Sequence, residues 1–197
     1  GANAGHTVIH GDKKYVTHLI PSGVISGRSV NVIGNGCVVN PTTLFDEMET
    51  LRQQGVRISP DKFIISPAAH MVLPIHEYLD RALNEKIGTT NRGIGPAYTD
   101  KVRRTGIRWE SACDGSFEEA YREHLDFIEK VYAIVDDEEI QLLRDGIPDL
   151  VKAVERLRPF VRDARFILAD AAKQNANILY EGAQGTFLDI DHGTYPF

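Results

Sequence analysis

Residues 87–108, IGTTNRGIGPAYTDKVRRTGIR, set a flexible, hydroxyl-bearing loop directly before a cluster of cations. Gly88, Gly93 and Gly95 let the backbone approach a ligand closely, Thr89 and Thr90 add hydroxyl donors, and Arg92, Lys101, Arg103, Arg104 and Arg108 bring positive charge. That combination outlines a phosphate site, although a Gly-rich surface loop leading into a solvated basic helix has the same composition. Lys101 and Arg104, three apart, share one helical face, and Gly106 ends the helix before Arg108 can join them. A second segment, GANAGHT at residues 1–7, puts a side-chain amide (Asn3), bare backbone (Gly1, Gly5) and the imidazole of His6 into one tight turn. Backbone donors there could meet a ligand oxygen while His6, with an ordinary pKa of about 6.5, shares a proton with it; a structural histidine beside a strand is the alternative.

A third segment, EGAQGTFLDIDHGTYPF at residues 181–197, flanks Gln184 with Gly182 and Gly185, so its amide can both donate and accept toward a ligand. Asp189, Asp191 and His192 are metal-ligand types, but the alternation of LDIDHG is equally a strand end turning into a loop. His10, His70, His76 and His124 sit at pattern positions without a partner motif and read as structural, and His18 is assigned no chemistry because a partly buried ring supporting the hairpin explains it equally well.

The elements that must position these residues follow from periodicity. Residues 7–20, TVIHGDKKYVTHLI, alternate on either side of Gly11-Asp12 and predict a hairpin. The β-branched run at residues 30–39 predicts a buried strand, after which Asn40 caps and Pro41 opens a helix with Leu44, Met48 and Leu51 on one face and Gly55 beyond its end. Short strands are expected at residues 63–65 and 70–73, then a helix from Pro74 to about residue 84. From about residue 116 to 172 the pattern is helical and charged, with Tyr121, Leu125, Ile128, Val131 and Val135 as one apolar face and Leu150, Val154, Leu157 and Val161 as another. NILYE at residues 177–181 predicts a buried strand, with the Gly-Ala-Gln-Gly at its carboxyl end, where parallel sheets present ligand contacts.

Composition narrows the function classes. A net charge of -6, from 22 basic and 28 acidic residues, argues against a general nucleic-acid or anionic-membrane binder, so the basic run is local and suits a small anion. Two cysteines without metal-ligand spacing make a disulfide framework or zinc site unexpected and fit a reducing cytoplasm. No secretory leader and no bilayer-spanning apolar run is present, and no G-x-x-x-x-G-K-[ST] loop occurs in the 197 residues. The chain opens without Met and stops inside what reads as a motif, so the expectation is a central piece of a longer α/β protein.

The three segments together, in this order and at these separations, resemble the adenylosuccinate synthetases, GTP-dependent ligases that join aspartate to IMP. The resemblance covers essentially the whole chain. It implies an α/β fold with a mainly parallel central sheet of the P-loop-NTPase-like kind and a helical insertion at about residues 112–173. The chain would be the central part of one larger domain, with the N-terminal phosphate loop and the C-terminal part outside it. By match, His6 is the general acid in forming a 6-phosphoryl-IMP intermediate, and Asn3, Ala4, Gly5, His6, Thr89, Thr90 and Gln184 line the IMP pocket. Arg104 reaches in trans to the partner subunit's IMP phosphate, and Arg103 stands where the family often has a small residue. Gly5, His6 and Thr7 face GTP, and the Gly5 carbonyl touches the single Mg²⁺ of each subunit. The implied partners are IMP, GTP, L-aspartate and a second copy of the chain in a cytoplasmic homodimer, with neither nucleic acid nor membrane. A non-catalytic fragment that only binds nucleotide or dimerises is the rival reading.

Overall fold

The hairpin forms as the alternation predicts. Strand β1 (His6–His10) pairs antiparallel with β2 (Lys13–Thr17), His6 opposite Thr17, around a Gly11-Asp12 turn in which Gly11 has φ +59°. The computed structural model describes residues 5–83, 88–132, 136–182 and 184–195. The chain leaving β2 is fixed by one side chain. Glu47 accepts the backbone N–H groups of His18, Leu19 and Ile20 at 2.9, 3.0 and 3.1 Å, a concave donor set that a carboxylate fits well. Glu47 belongs to α1 (Pro41–Gln53), capped as expected by Asn40, whose Oδ1 accepts Thr43 N–H at 3.0 Å, and bearing Leu44, Met48 and Leu51 on its buried face.

The expected strand over residues 30–39 is split. Strands β3 (Asn31–Ile33) and β4 (Val38–Val39) are separated by a turn that turns its carbonyls outward to α3 (Ile94–Arg103). Lys101 Nζ donates to Asn35 O at 2.7 Å and Tyr98 Oη to Gly36 O at 2.9 Å, so the break in the strand is the anchor of the cation-bearing helix. Strand β3 runs parallel to β5 (Phe63–Ile65), and β4 parallel to β6 (His70–Met71). In place of one central parallel sheet, the described residues hold three two-stranded sheets, two of them parallel, extended by single bridges from Ile65 to Val161 and from His70 to Arg108.

The rest is helical: α2 (Pro74–Leu83), α4 (Ser111–Asp114), α5 (Phe117–Val131), α6 (Asp137–Asp145), α7 (Ile147–Leu157) and α8 (Ala164–Lys173). Tyr121, Leu125 and Ile128 are buried as the periodicity predicts, as are Leu150, Val154 and Leu157. Val131 instead faces solvent at the end of α5, where the helix outruns the core, and Val135 lies outside the described residues. Because α7 packs on α1 and shares its apolar core with Phe63, Trp109 and Phe160, the helical half is continuous with the strands rather than a separate body.

Residues 177–181 correct the sequence reading most sharply. They form no strand, and Leu179 and Tyr180 are 89% and 86% exposed. A buried strand needs a partner edge for its N–H and C=O groups, and no described residue offers one here. Among the described residues the segment's hydrogen bonds come from one side chain, Glu181, to His6 and Ser22. None of the described helices is long and apolar enough to cross a membrane.

Candidate functional site

The basic run is built from α2 outward. Gly93 opens α3 with φ +71°, and a Cβ there would come within 2.8 Å of backbone atoms of His76 and Glu77, so only glycine lets the loop press this closely on α2. The buried Asp80 accepts the Gly93 N–H at 2.9 Å. Before that turn, Thr89 Oγ1 donates to Asn91 Oδ1 at 3.1 Å and accepts Asn91 N–H at 3.2 Å, an arrangement that holds Asn91 at φ +55°. Thr89 and Thr90 are both exposed, with their hydroxyl-bearing loop open to solvent.

At the other end of α3, the expected shared face of Lys101 and Arg104 is not formed. Helix α3 stops at Arg103, and Arg104 is its cap in the left-handed region, φ +67°, so its side chain leaves the helical register. The neighbouring arginines then part company. Arg103 lies over the rings of Tyr132 and Phe127, 5.7 and 6.0 Å from their centroids, a cation–π arrangement that occupies it. Arg104 is exposed and has no ion pair or side-chain hydrogen bond among the described residues. It lines a cavity of about 520 Å³ with Lys101, Arg108, His70 and His124, to which Glu110, Asp114 and Glu123 also contribute. Of the two arginines, Arg104 is the one available to an incoming anion.

His6 begins β1 and its Nδ1 is hydrogen-bonded to Glu181 Oε1. Glu181 also accepts Ser22 N–H and Ser22 Oγ–H, each at 3.0 Å. Burial acts to raise the Glu181 carboxyl, but the hydrogen bonds from His6 and Ser22 outweigh it and bring it below its ordinary range. Glu181 is therefore a carboxylate at neutral pH, Nδ1 of His6 carries the proton given to it, and Nε2 is left to exchange a proton with a ligand. Sequence reading passed over Glu181 because its use depends on a contact 175 residues away; a Glu directly ahead of a Gly-x-Gln-Gly turn was the available signal. Behind this turn His18 packs so that a Cβ on Gly5 would meet its Nε2 at 3.0 Å, which gives His18 a structural reason and Gly5 a steric one. Thr7, next in β1, is exposed. Asn3 and Ala4 lie outside the described residues.

Gln184 lines a larger cleft, about 1430 Å³, between residues 182–195 and the Tyr98, Thr99 and Val102 side of α3. The structure thus links His6 to the Gln184 segment through Glu181, and sets Gln184 and Arg104 along cavities on either side of α3, with Thr89 and Thr90 in the loop before it. It does not gather all of them into one cavity. Asp189 spends Oδ2 on the N–H groups of Asp191 and His192, at 3.0 and 2.9 Å, which makes it a turn residue rather than a metal ligand. As for Mg²⁺, Gly5 offers one neutral carbonyl and the nearby carboxylate, Glu181, is engaged by His6 and Ser22, whereas a hard cation wants about six oxygens. The described residues alone do not build that site.

Comparisons with known proteins bear on the whole chain. The family model for adenylosuccinate synthetase matches residues 1–197. The adenylosuccinate synthetase of Clostridium botulinum (strain 657 / Type Ba4) is 47% identical over 206 residues, covering 100% of this chain and 47% of its own length. That of Clostridium novyi (strain NT) is 44% identical over 208 residues with the same coverage. Among solved structures, fully ligated adenylosuccinate synthetase from Plasmodium falciparum superposes with a TM-score of 0.84 at 33% identity, over 100% of this chain and 46% of that one. A cyanophage S-2L succinoaminodeoxyadenylate synthetase shares the fold at a TM-score of 0.63 and 24% identity, over 100% of this chain and 45% of that one. The chain spans about half the length of the curated relatives it matches. With the match running from the first residue to the last, the chain belongs to the adenylosuccinate synthetase family.

Proposed function

We propose that this chain supplies the IMP-facing half of an adenylosuccinate synthetase site, in which GTP phosphorylates the 6-oxygen of IMP and the aspartate amine then displaces phosphate, leaving adenylosuccinate, GDP and inorganic phosphate. The observation that carries the reading is the division of labour at α3: Arg103 is spent on two rings while Arg104 is free and outward. A guanidinium suits a phosphate because it stays charged and can grip two oxygens at once. In this reading Arg104 serves the partner subunit's IMP in a homodimer. Thr89, Thr90, Gln184, Gly5, Asn3 and Ala4 line the pocket of its own chain, and Gly5, His6 and Thr7 also face GTP.

His6 is the proton carrier at the 6-oxygen. Glu181 fixes the ring by its Nδ1, which leaves Nε2 to give a proton as charge builds on the transferred group. Mg²⁺, when bound, would neutralise phosphate charge, with the Gly5 carbonyl one ligand among several from outside these residues. The P-loop-NTPase-like sheet, the placement of residues 112–173 as an insertion and the cytoplasmic setting belong to the same proposal.

Because the family's GDEGKGK-like phosphate loop, with the Asp that deprotonates IMP, does not occur in these 197 residues, we expect them in isolation to make no adenylosuccinate from IMP, GTP, aspartate and Mg²⁺ while the full-length gene product does. Product absorbance follows the reaction. An inactive full-length protein that still binds IMP would establish the rival, a nucleotide-binding homologue without catalysis.

A further inference from the structure

Beneath the exposed cations, three helices meet on one carboxylate. Asp100 of α3 is 3% exposed, and its Oδ2 lies 3.1 Å from Nε2 of His76 on α2 and 3.1 Å from Nε2 of His124 on α5. The His76 contact is a hydrogen bond, whereas His124 approaches the same oxygen without the alignment of one. Both rings are buried and meet edge to face, centroids 5.6 Å apart. Burial would raise the Asp100 carboxyl, but His124 and His76 outweigh it and hold it well below its ordinary range, so the group is ionised.

Two histidines and a carboxylate at this spacing also describe a metal set. The tautomer of His76 speaks against it. Leu73 N–H donates to His76 Nδ1 at 2.9 Å, so Nδ1 holds the lone pair and Nε2 holds the proton. A metal at the cluster would need the lone pair on Nε2, which a neutral ring cannot offer while Nδ1 accepts from the backbone.

Asp100 has a second set of contacts, and these lead to the surface. Its Oδ1 accepts Thr105 Oγ1–H at 3.1 Å, and its backbone carbonyl accepts the N–H groups of Thr105 and Gly106 at 3.0 and 3.2 Å. Gly106 closes the turn from the other side, since a Cβ there would reach His70 Cδ2 at 2.9 Å. Between these fixed points stands Arg104, in a left-handed conformation that non-glycine residues seldom adopt and that its surroundings must hold.

We propose that the buried His76–Asp100–His124 cluster is the positioning device of Arg104: His76 holds the carboxylate by a hydrogen bond with His124 packed against the same oxygen, the carboxylate clamps Thr105, and the clamped turn aims the guanidinium at its phosphate. Asp100 acts through Arg104 and is a positioning residue in this proposal. The inference rests on the reading of Arg104 as a phosphate contact.

The test is a double-mutant cycle in the full-length gene product, with KM for IMP and kcat measured for Asp100→Asn, Arg104→Leu and the pair. Asp100→Asn should raise KM three- to tenfold with kcat within twofold, and should add nothing to KM once Arg104 is Leu. His76→Gln, which keeps a donor at the ε position, should stay closer to the parent KM than His76→Leu. Thr105→Val removes only the clamped hydroxyl and should raise KM in the same direction, which keeps the test alive if Asp100→Asn does not fold. Arg104→Leu raising KM while Asp100→Asn and Thr105→Val leave it unchanged would overturn the positioning role alone. Effects of Asp100→Asn and Arg104→Leu that multiply independently would do the same. An unchanged KM in Arg104→Leu would remove the phosphate reading and the inference together.

Discussion

Acidification should weaken this fold through His70, and the size of the effect can be worked out. His70 lies in β6, 5% exposed, under the face that carries Lys101 and Arg108. Burial first, then the charges of Lys101 and Arg108, lower its pKa from the ordinary 6.5 to about 4, against the Ala68 backbone, which favours the charged ring. A histidine whose pKa is lower in the folded state is neutral there while the unfolded chain already holds a proton. Its contribution is therefore complete above pH 6.5 and is lost as pH falls toward 4. Between pH 7.5 and 5.0 the loss through this one group comes to about 2 kcal/mol. Urea unfolding at both pH values, for the parent chain and for His70→Gln, isolates it. His76, lowered chiefly by burial, contributes to both proteins and cancels in the comparison. The variant should lose about 2 kcal/mol less on acidification than the parent. Equal losses would refute the claim that His70 is held neutral beneath the cation face.

Gly93→Ala combines a left-handed φ with a Cβ placed 2.8 Å from the α2 backbone, and should destabilise by about 2–4 kcal/mol in the same unfolding assay, since neither neighbour can yield as a flexible side chain would. Glu47→Gln leaves one oxygen for three N–H donors that now share two, and should cost about 1.5–3 kcal/mol, read as a lower thermal midpoint, with Glu47→Ala worse. In the full-length gene product, His6→Asn should lower kcat far more than it raises KM for IMP, the pattern of an interaction made in the transition state. Glu181→Gln should follow it in direction with a smaller drop; an unchanged kcat in His6→Asn would return that ring to a structural role.

What could be read in advance divides along a physical line. Features set by near neighbours in sequence were legible: the Gly11-Asp12 hairpin, the Asn40 cap, the buried faces of α5 and α7, and the stop of α3 before Gly106. Features decided by distant partners were not. The run at residues 30–39 has strand chemistry throughout, yet Lys101 and Tyr98 claim its middle carbonyls and split it. NILYE has the composition of a buried strand but no described edge to pair with. Arg103 and Arg104 are indistinguishable by type, and only the rings of Phe127 and Tyr132 tell them apart. Asp100 drew no notice among the cations, and His76 and His124, each 24 residues from it, read as separate core histidines until three helices brought them to one oxygen.

In the proposed reading one site is shared between two chains, with His6 given by one and Arg104 by the other. Mixing a full-length His6→Asn protein with a full-length Arg104→Leu protein, assayed at IMP near the parent's KM where each alone has little activity, tests it most directly. Arg104→Leu alone should raise KM for IMP by roughly one to two powers of ten, equivalent to about 1.5–3 kcal/mol. In a mixed dimer one site carries both defects and the other neither, so the account predicts that activity returns on mixing, toward about a quarter of the parent's when exchange is random and the two proteins are equal, since half the dimers are then mixed and each has one intact site. No recovery, with subunit exchange confirmed independently, would contradict it and leave Arg104 serving its own chain or only the solvent.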